Sequence, residues 1–186
     1  MAQVIGLRRN ELYVIMEKVL NETNETLLTL ERVFSDFKEN LINQIPYAGS
    51  WSAGQLAEHL VLANNGFLQV INGPVTETDK PADLLVAEIK KDFLNFNVKY
   101  NSPKEIYPED KAYNQLALLQ NLKQIRVGIS NAVTGLDLTK TCASYKLPGY
   151  GYLTRLEAVY FVIYHTQRHV HQLKNIYQKL AVNSLN

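Results

Sequence analysis

Apolar residues recur at helical spacing over most of the chain. From about Arg9 to Phe37, Leu12, Ile15, Met16, Val19, Leu20, Leu27, Leu28, Leu30, Val33 and Phe34 form one stripe, with a polar patch at Asn21–Glu25 expected to kink or interrupt it. Pro46-Tyr47-Ala48-Gly49-Ser50 reads as a loop. Ser52-x-x-Gln55 is a capping box, and it opens a second helix whose stripe is Leu56, His59, Leu60, Ala63, Phe67, Val70 and Ile71, ended by Asn72-Gly73-Pro74. A third helix is predicted over Asp83–Phe96 and a fourth from about Lys111 to Val133, with Gly135 as its C-terminal glycine. Leu136 to Tyr152 is the one place suited to strand-like or irregular structure, ending in the glycine and tyrosine rich loop Leu147–Tyr152. Thr154-x-x-Glu157 is a second capping box, and the last long helix runs from there to about Leu180. The pattern predicts one all-α domain over residues 1–186, a bundle of four long helices with long connecting loops.

Composition narrows the function classes. The chain has 186 residues, 46% hydrophobic and 20% charged, ordinary values for a domain with a proper core. A net charge of +1 and no basic helix face disfavour nucleic acid and anionic membranes as partners. No apolar run approaches the ~20 residues of a membrane span. The N-terminus, Met1 to Arg9, has its charges after a short apolar stretch, the reverse of a signal peptide. The single cysteine, Cys142, suits a reducing compartment, so a cytoplasmic location is expected. Asn21-Glu22-Thr23 and Asn24-Glu25-Thr26 match the glycosylation pattern, but without secretion they read as surface residues of a helix.

The candidate chemistry lies in the histidines. Three of the four fall in Tyr164–Gln172 and the fourth is His59. A helix turns ~100° per residue, so His165 and His169, four apart, lie on one face and can reach one ion; His171 points ~160° away from His169 and is excluded. The pair interrupts the core-facing stripe Ala158, Val162, Leu173, Ile176, Leu180 at its centre. Gln172 lies beside the His169 face, as a contact to the site or a cap on a polar gap. His59 reads either as a hydrogen-bonded core histidine or as a third ligand. Glu58 points outward and forms no His-Glu-x-x-His arrangement, so it carries no role as a base. Three imidazoles would leave a coordination position open, as in catalytic sites, and zinc or nickel suits them. Tyr145, Tyr150 and Tyr152 read as packing groups or pocket lining, Cys142 lacks an activator, and Arg168 reads as a solvated or salt-bridged surface group.

Trp51-Ser52-x-x-Gln55-x-x-x-His59-Leu60, Gly151-x-Leu153-Thr154-x-x-Glu157 and His165-Thr166-x-Arg168-His169-x-x-Gln172 together resemble the DinB-like superfamily, which includes YfiT-type proteins and the bacillithiol and mycothiol transferases. The likeness runs from about Thr26 to Leu180. It implies a four-helix bundle of DinB/YfiT type, often dimeric, with a divalent metal held by His59, His165 and His169. Relatives often carry His-Pro before the glycine of the last loop; Leu147-Pro148-Gly149 stands here, so no fourth imidazole comes from that side.

The function expected is therefore that of a divalent-metal-dependent enzyme acting on a small molecule, a thiol S-transferase or a hydrolase, with a low-molecular-weight thiol as one candidate cosubstrate. The alternative is a non-catalytic metal-binding or stress-response bundle. Tyr150, Tyr152 and Gln172 are the candidate pocket groups. A homodimer is expected, with Tyr160, Ile163 and Tyr164 either on its face or buried within the bundle.

Overall fold

The computed structural model describes residues 9–183; the leader question posed by Met1–Arg8 falls outside them, as does the side chain of Leu12. Four long helices dominate: α1 (Arg9–Ser35), α2 (Ala53–Asn72), α4 (Gln115–Gly135) and α5 (Arg155–Asn183). A short helix, α3 (Val86–Phe93), lies against α5. α1 and α2 each pack on both α4 and α5, so the ring runs α1–α4–α2–α5. A small antiparallel sheet, β1 (Val75–Thr76), β2 (Thr141–Leu147) and β3 (Gly151–Thr154), closes one end in the order β1-β2-β3. The strand-like segment foreseen before the last helix is thus a hairpin, with Lys146 opposite Tyr152 and Leu147 opposite Gly151. Gly149 and Gly151 take positive φ there, the conformation a side chain disfavours. No described helix is long and apolar enough to cross a membrane.

Helix starts follow the local code. Ser52 Oγ accepts from the Gln55 N–H (3.1 Å) and Gln55 Oε1 accepts from the Ser52 N–H (3.0 Å). Helix interiors and ends differ from the pattern where distant groups intervene. The polar patch does not interrupt α1: Thr23 is buried and returns its hydroxyl to the Val19 carbonyl (2.7 Å). Thr23 and Thr26, read as surface positions, both lie inside the bundle. Gly135 is the last residue of α4 and has no positive φ; the helix closes through the Leu136 N–H on Ala132 O, with Leu136 extended. α4 begins at Gln115, not Lys111, because Asn43 pairs with both the N–H and the C=O of Tyr113 and holds that backbone out of the helix. Tyr160, Ile163 and Tyr164 are buried within the single chain, which removes them as a dimer face.

The second capping box reaches further than its own helix. Thr154 and Glu157 exchange their bonds (3.1 and 2.8 Å), and the Glu157 carboxylate, fully buried, also accepts from Lys80 Nζ (2.9 Å) and the Leu85 N–H (2.9 Å). Leu85 is the cap of α3, so one carboxylate sets where α3 starts.

The core is divided. One apolar cluster gathers Val19, Phe67, Ile71, Ile129 and Phe161; another gathers Leu30, Phe34, Leu56, Leu60, Leu122 and Leu173. Along α2 the switch falls between Leu60 and Phe67, where Asn64 lies, and along α5 it falls at His165, Thr166 and His169, all buried. Asn64 Nδ2 donates to Thr166 Oγ1 (3.1 Å), tying the two helices within this polar belt.

Glu157→Ala leaves two N–H groups without their partner and forces Lys80 to re-solvate. A loss of about 3 kcal/mol is expected, read from urea unfolding. A loss below about 1 kcal/mol would show that the carboxylate does not anchor α3.

Candidate metal centre

His59 enters from the second turn of α2 and His165 and His169 from one face of α5. His165 Nε2 lies 3.3 Å from His59 Nε2 and 3.0 Å from His169 Nε2, and one donor atom from each of the three residues fits within 4.8 Å. The fourth histidine, His171, is exposed and stacks on Phe96 with centroids 4.2 Å apart, away from the cluster.

Hydrogen bonds decide which nitrogen is basic. His59 Nδ1 sits 2.9 Å from the Ile106 carbonyl, which only accepts, so Nδ1 carries the proton and Nε2 keeps its lone pair. His169 Nδ1 sits 2.5 Å from Gln172 Oε1, with the same consequence. Gln172, exposed at the rim, therefore orients the third imidazole, as its place beside the His169 face suggested. His165 Nδ1 is buried with no partner; its ring is held by stacking on Phe161 (5.4 Å) and by the edge of Phe93 (5.8 Å).

Burial lowers the pKa of all three. For His59 desolvation outweighs the Ile106 bond, which works the other way. His165 is pushed well below its ordinary value by burial and then by the charge His169, His59 and Arg168 would add. His169 falls to about 3, first by burial and then by His59, with Gln172 opposing. The imidazoles are neutral at pH 7, the state a metal ion requires. Two lone pairs of fixed tautomer converge on a third nitrogen, an arrangement that one proton on His165 cannot fully satisfy and one cation can. The donor set thus fits a divalent metal. Among the described residues no carboxylate or cysteine joins the three, and Cys142 is buried in the sheet opposite Val75.

Other expected site residues lie elsewhere. Tyr150 donates to Asp92 Oδ2 (2.6 Å), and burial, with that carboxylate beside it, raises its pKa; Tyr152 is half exposed on β3. Neither makes a hydrogen bond or ring contact to the histidines among the described residues. Arg168 is a correction: it is only 8% exposed, and no carboxylate pairs with it among the described residues.

The centre also uses residues that sequence reasoning passed over. Trp51 packs on His59 (5.1 Å) and Tyr107 sets its edge on Trp51 (5.3 Å). Ser102 Oγ comes within 3.4 Å of His59 Nδ1. A tryptophan one residue ahead of the capping box was a visible signal for the first contact. The backbone carbonyl of Ile106 left none.

A family model described as the DinB superfamily matches residues 22–173. The chain is similar in fold to the solved structure of YfiT from Bacillus subtilis, described as a probable metal-dependent hydrolase with an unusual four-helix bundle topology; the TM-score is 0.56, at 10% identity, over 97% of this chain and 94% of that one. No curated protein matches the chain.

Two outcomes are expected of this geometry. The unfolded chain binds a proton at His169 below its usual value of 6.5, whereas the folded chain does so only near 3. Metal-free protein therefore loses stability as pH falls through that window, by about 1.4 kcal/mol per pH unit from this residue. Urea unfolding at pH 6 and 5 should show the drop, reduced by that amount in His169→Asn; equal drops would mean His169 titrates freely when folded. His171→Ala should keep its full metal content by elemental analysis, and losing it would overturn the assignment of His171 to the outer face.

Proposed function

The chain belongs to the DinB superfamily, and from that premise we propose that it is a divalent-metal-dependent enzyme, a hydrolase or thiol S-transferase acting on a small molecule. The observation that carries this reading is the convergence of three neutral imidazoles that no fourth histidine, cysteine or carboxylate joins among the described residues. A closed structural site would draw four ligands, commonly thiolates, from the chain. The description of YfiT, the fold relative, as a probable metal-dependent hydrolase supports the same class.

His59, His165 and His169 would hold the ion, with zinc or nickel the best matched to three imidazoles. Bound there, it would supply Lewis acidity, lowering the pKa of a water or a low-molecular-weight thiol. The chain's own residues do the rest. Ile106 O and Gln172 Oε1 hold the Nδ1 protons and so aim two rings. Phe93 and Phe161 keep water from the His165 side. Tyr107, 57% exposed, and half-buried Trp51 form an aromatic wall beside His59, suited to the apolar part of a small electrophile. Among the described residues no carboxylate joins the three histidines to act as a base, which favours a nucleophile activated by the ion itself.

Untagged protein should carry about one equivalent of zinc or nickel by elemental analysis, and His59→Ala, His165→Ala and His169→Ala should each lose most of it. The native protein should turn over members of a panel of esters, amides and thiol-plus-electrophile pairs, stop with a chelator and recover with metal. Native protein that takes up no metal, or variants that keep both metal and turnover, would sink the proposal. Full metal with no turnover across the panel would favour the non-catalytic bundle.

A further inference from the structure

Arg168 stands between two of the histidines on α5, and its surroundings are unusual for a guanidinium. A buried charge is ordinarily matched by an opposite one. Here Nη1 donates to the carbonyls of Phe93 (3.1 Å) and Asn95 (2.9 Å), and Nη2 donates to that of Val98. These carbonyls belong to the last residue of α3 and to the chain just beyond it, where a helix leaves its acceptors unfilled and its dipole is negative. The Tyr100 ring lies 4.9 Å from the guanidinium and stacks on Phe93. Arg168 therefore fastens the start of a strap, residues 94–107, irregular but for a 3-10 turn at Lys104–Ile106, that crosses from α3 to α2. Most strap side chains are exposed, so little apolar burial holds it. Its far end supplies the two groups that reach His59 Nδ1, Ser102 Oγ and the Ile106 carbonyl.

We propose that Arg168 is a positioning residue for His59: by clamping the start of the strap it delivers the Ile106 carbonyl to His59 Nδ1 and so keeps His59 Nε2 as the nitrogen facing the other two histidines. The planar fork suits the task, because it reaches several carbonyls at once, whereas an ammonium is a point donor. The effect runs from α5 to α2 through backbone, with no contact between Arg168 and His59. For metal binding the proposal rests on the reading of the centre given above; for the tautomer it does not.

The test is made first on metal-free protein. Nitrogen-15 spectra of the imidazoles should show the native His59 as the Nδ1–H tautomer, and Arg168→Ala should convert it to a mixture. His169 is the internal control: its Nδ1 is held by Gln172 from its own helix, so its tautomer should not change. Trypsin should cleave after Lys99 and Lys104, both exposed on the strap, faster in the variant than in the native chain. Arg168→Lys should fall between the two, and it provides the readout where the alanine variant fails to fold. Metal affinity should weaken by about tenfold or more in Arg168→Ala.

A native-like His59 tautomer in both variants would overturn the proposal. So would simultaneous loss of the His169 tautomer, which would mark a general loosening of the core, or a rise in KM alone, which would make Arg168 a substrate-binding group. Native protein that binds no metal would defeat the metalloenzyme reading, while the tautomer and trypsin results would still decide the role of Arg168.

Discussion

Three basic ring nitrogens facing one another in a protein interior are a destabilising arrangement, and the rest of this bundle is organised around tolerating it. On α5 the boundary between the two apolar clusters coincides with His165, Thr166 and His169. Asn64 of α2 bonds Thr166 there. Each buried polar atom left unmatched costs about 1–3 kcal/mol. Two outer nitrogens are matched, His59 Nδ1 at Ile106 O and His169 Nδ1 at Gln172, while the inner ones face one another and His165 Nδ1 has no partner. A group that relieves the inner lone pairs stabilises the folded state as well as serving chemistry. Binding and folding are linked at this belt.

The helix that bears two of the histidines also disciplines the irregular part of the molecule. At its start Glu157 takes the Leu85 N–H and the Lys80 ammonium; three turns later Arg168 takes the carbonyls of Phe93, Asn95 and Val98. One end of α3 is thus held by a buried carboxylate and the other by a buried guanidinium, both from α5. This accounts for α3 ending at eight residues when the apolar pattern supported a longer helix over Asp83–Phe96. The ordering suits the dipole, an anion at the N-terminal end of α3 and a cation at the C-terminal end.

What was legible in the sequence was local, or carried by a recognisable combination of motifs. Capping boxes are readable because Ser52 with Gln55 and Thr154 with Glu157 need only each other. His165 and His169 are readable as a pair because helical spacing alone puts them on one face. His59 was ambiguous on spacing, and only its company in a familiar series of motifs pointed it to the other two. Arg168 was misread for a physical reason: an arginine without an acidic neighbour in sequence looks solvated, and its partners are carbonyls some seventy residues away. Tyr150 and Tyr152 stayed open between packing and pocket lining because a glycine-rich hairpin has no periodicity from which to project a side chain. Backbone acceptors such as Ile106 O leave no mark on residue type at all.

This division has a consequence for how such a centre can change. The three histidines stand on α2 and α5, whose packing against two other helices fixes them within a rigid frame. The groups beside them come from segments held mainly at a few points: Trp51 from the residue before a cap, and Tyr107, Ser102 and Ile106 from the strap. An exposed aromatic such as Tyr107 can be exchanged without opening the core, so the wall beside His59 can vary while the helices that carry the histidines stay fixed. The Ile106 carbonyl is indifferent to the side chain that carries it, so it survives most substitutions at its own position. A displaced strap would move Tyr107 and the Nδ1 acceptor of His59 together. A fold built in this way can vary the groups around the centre while holding constant the three nitrogens within it.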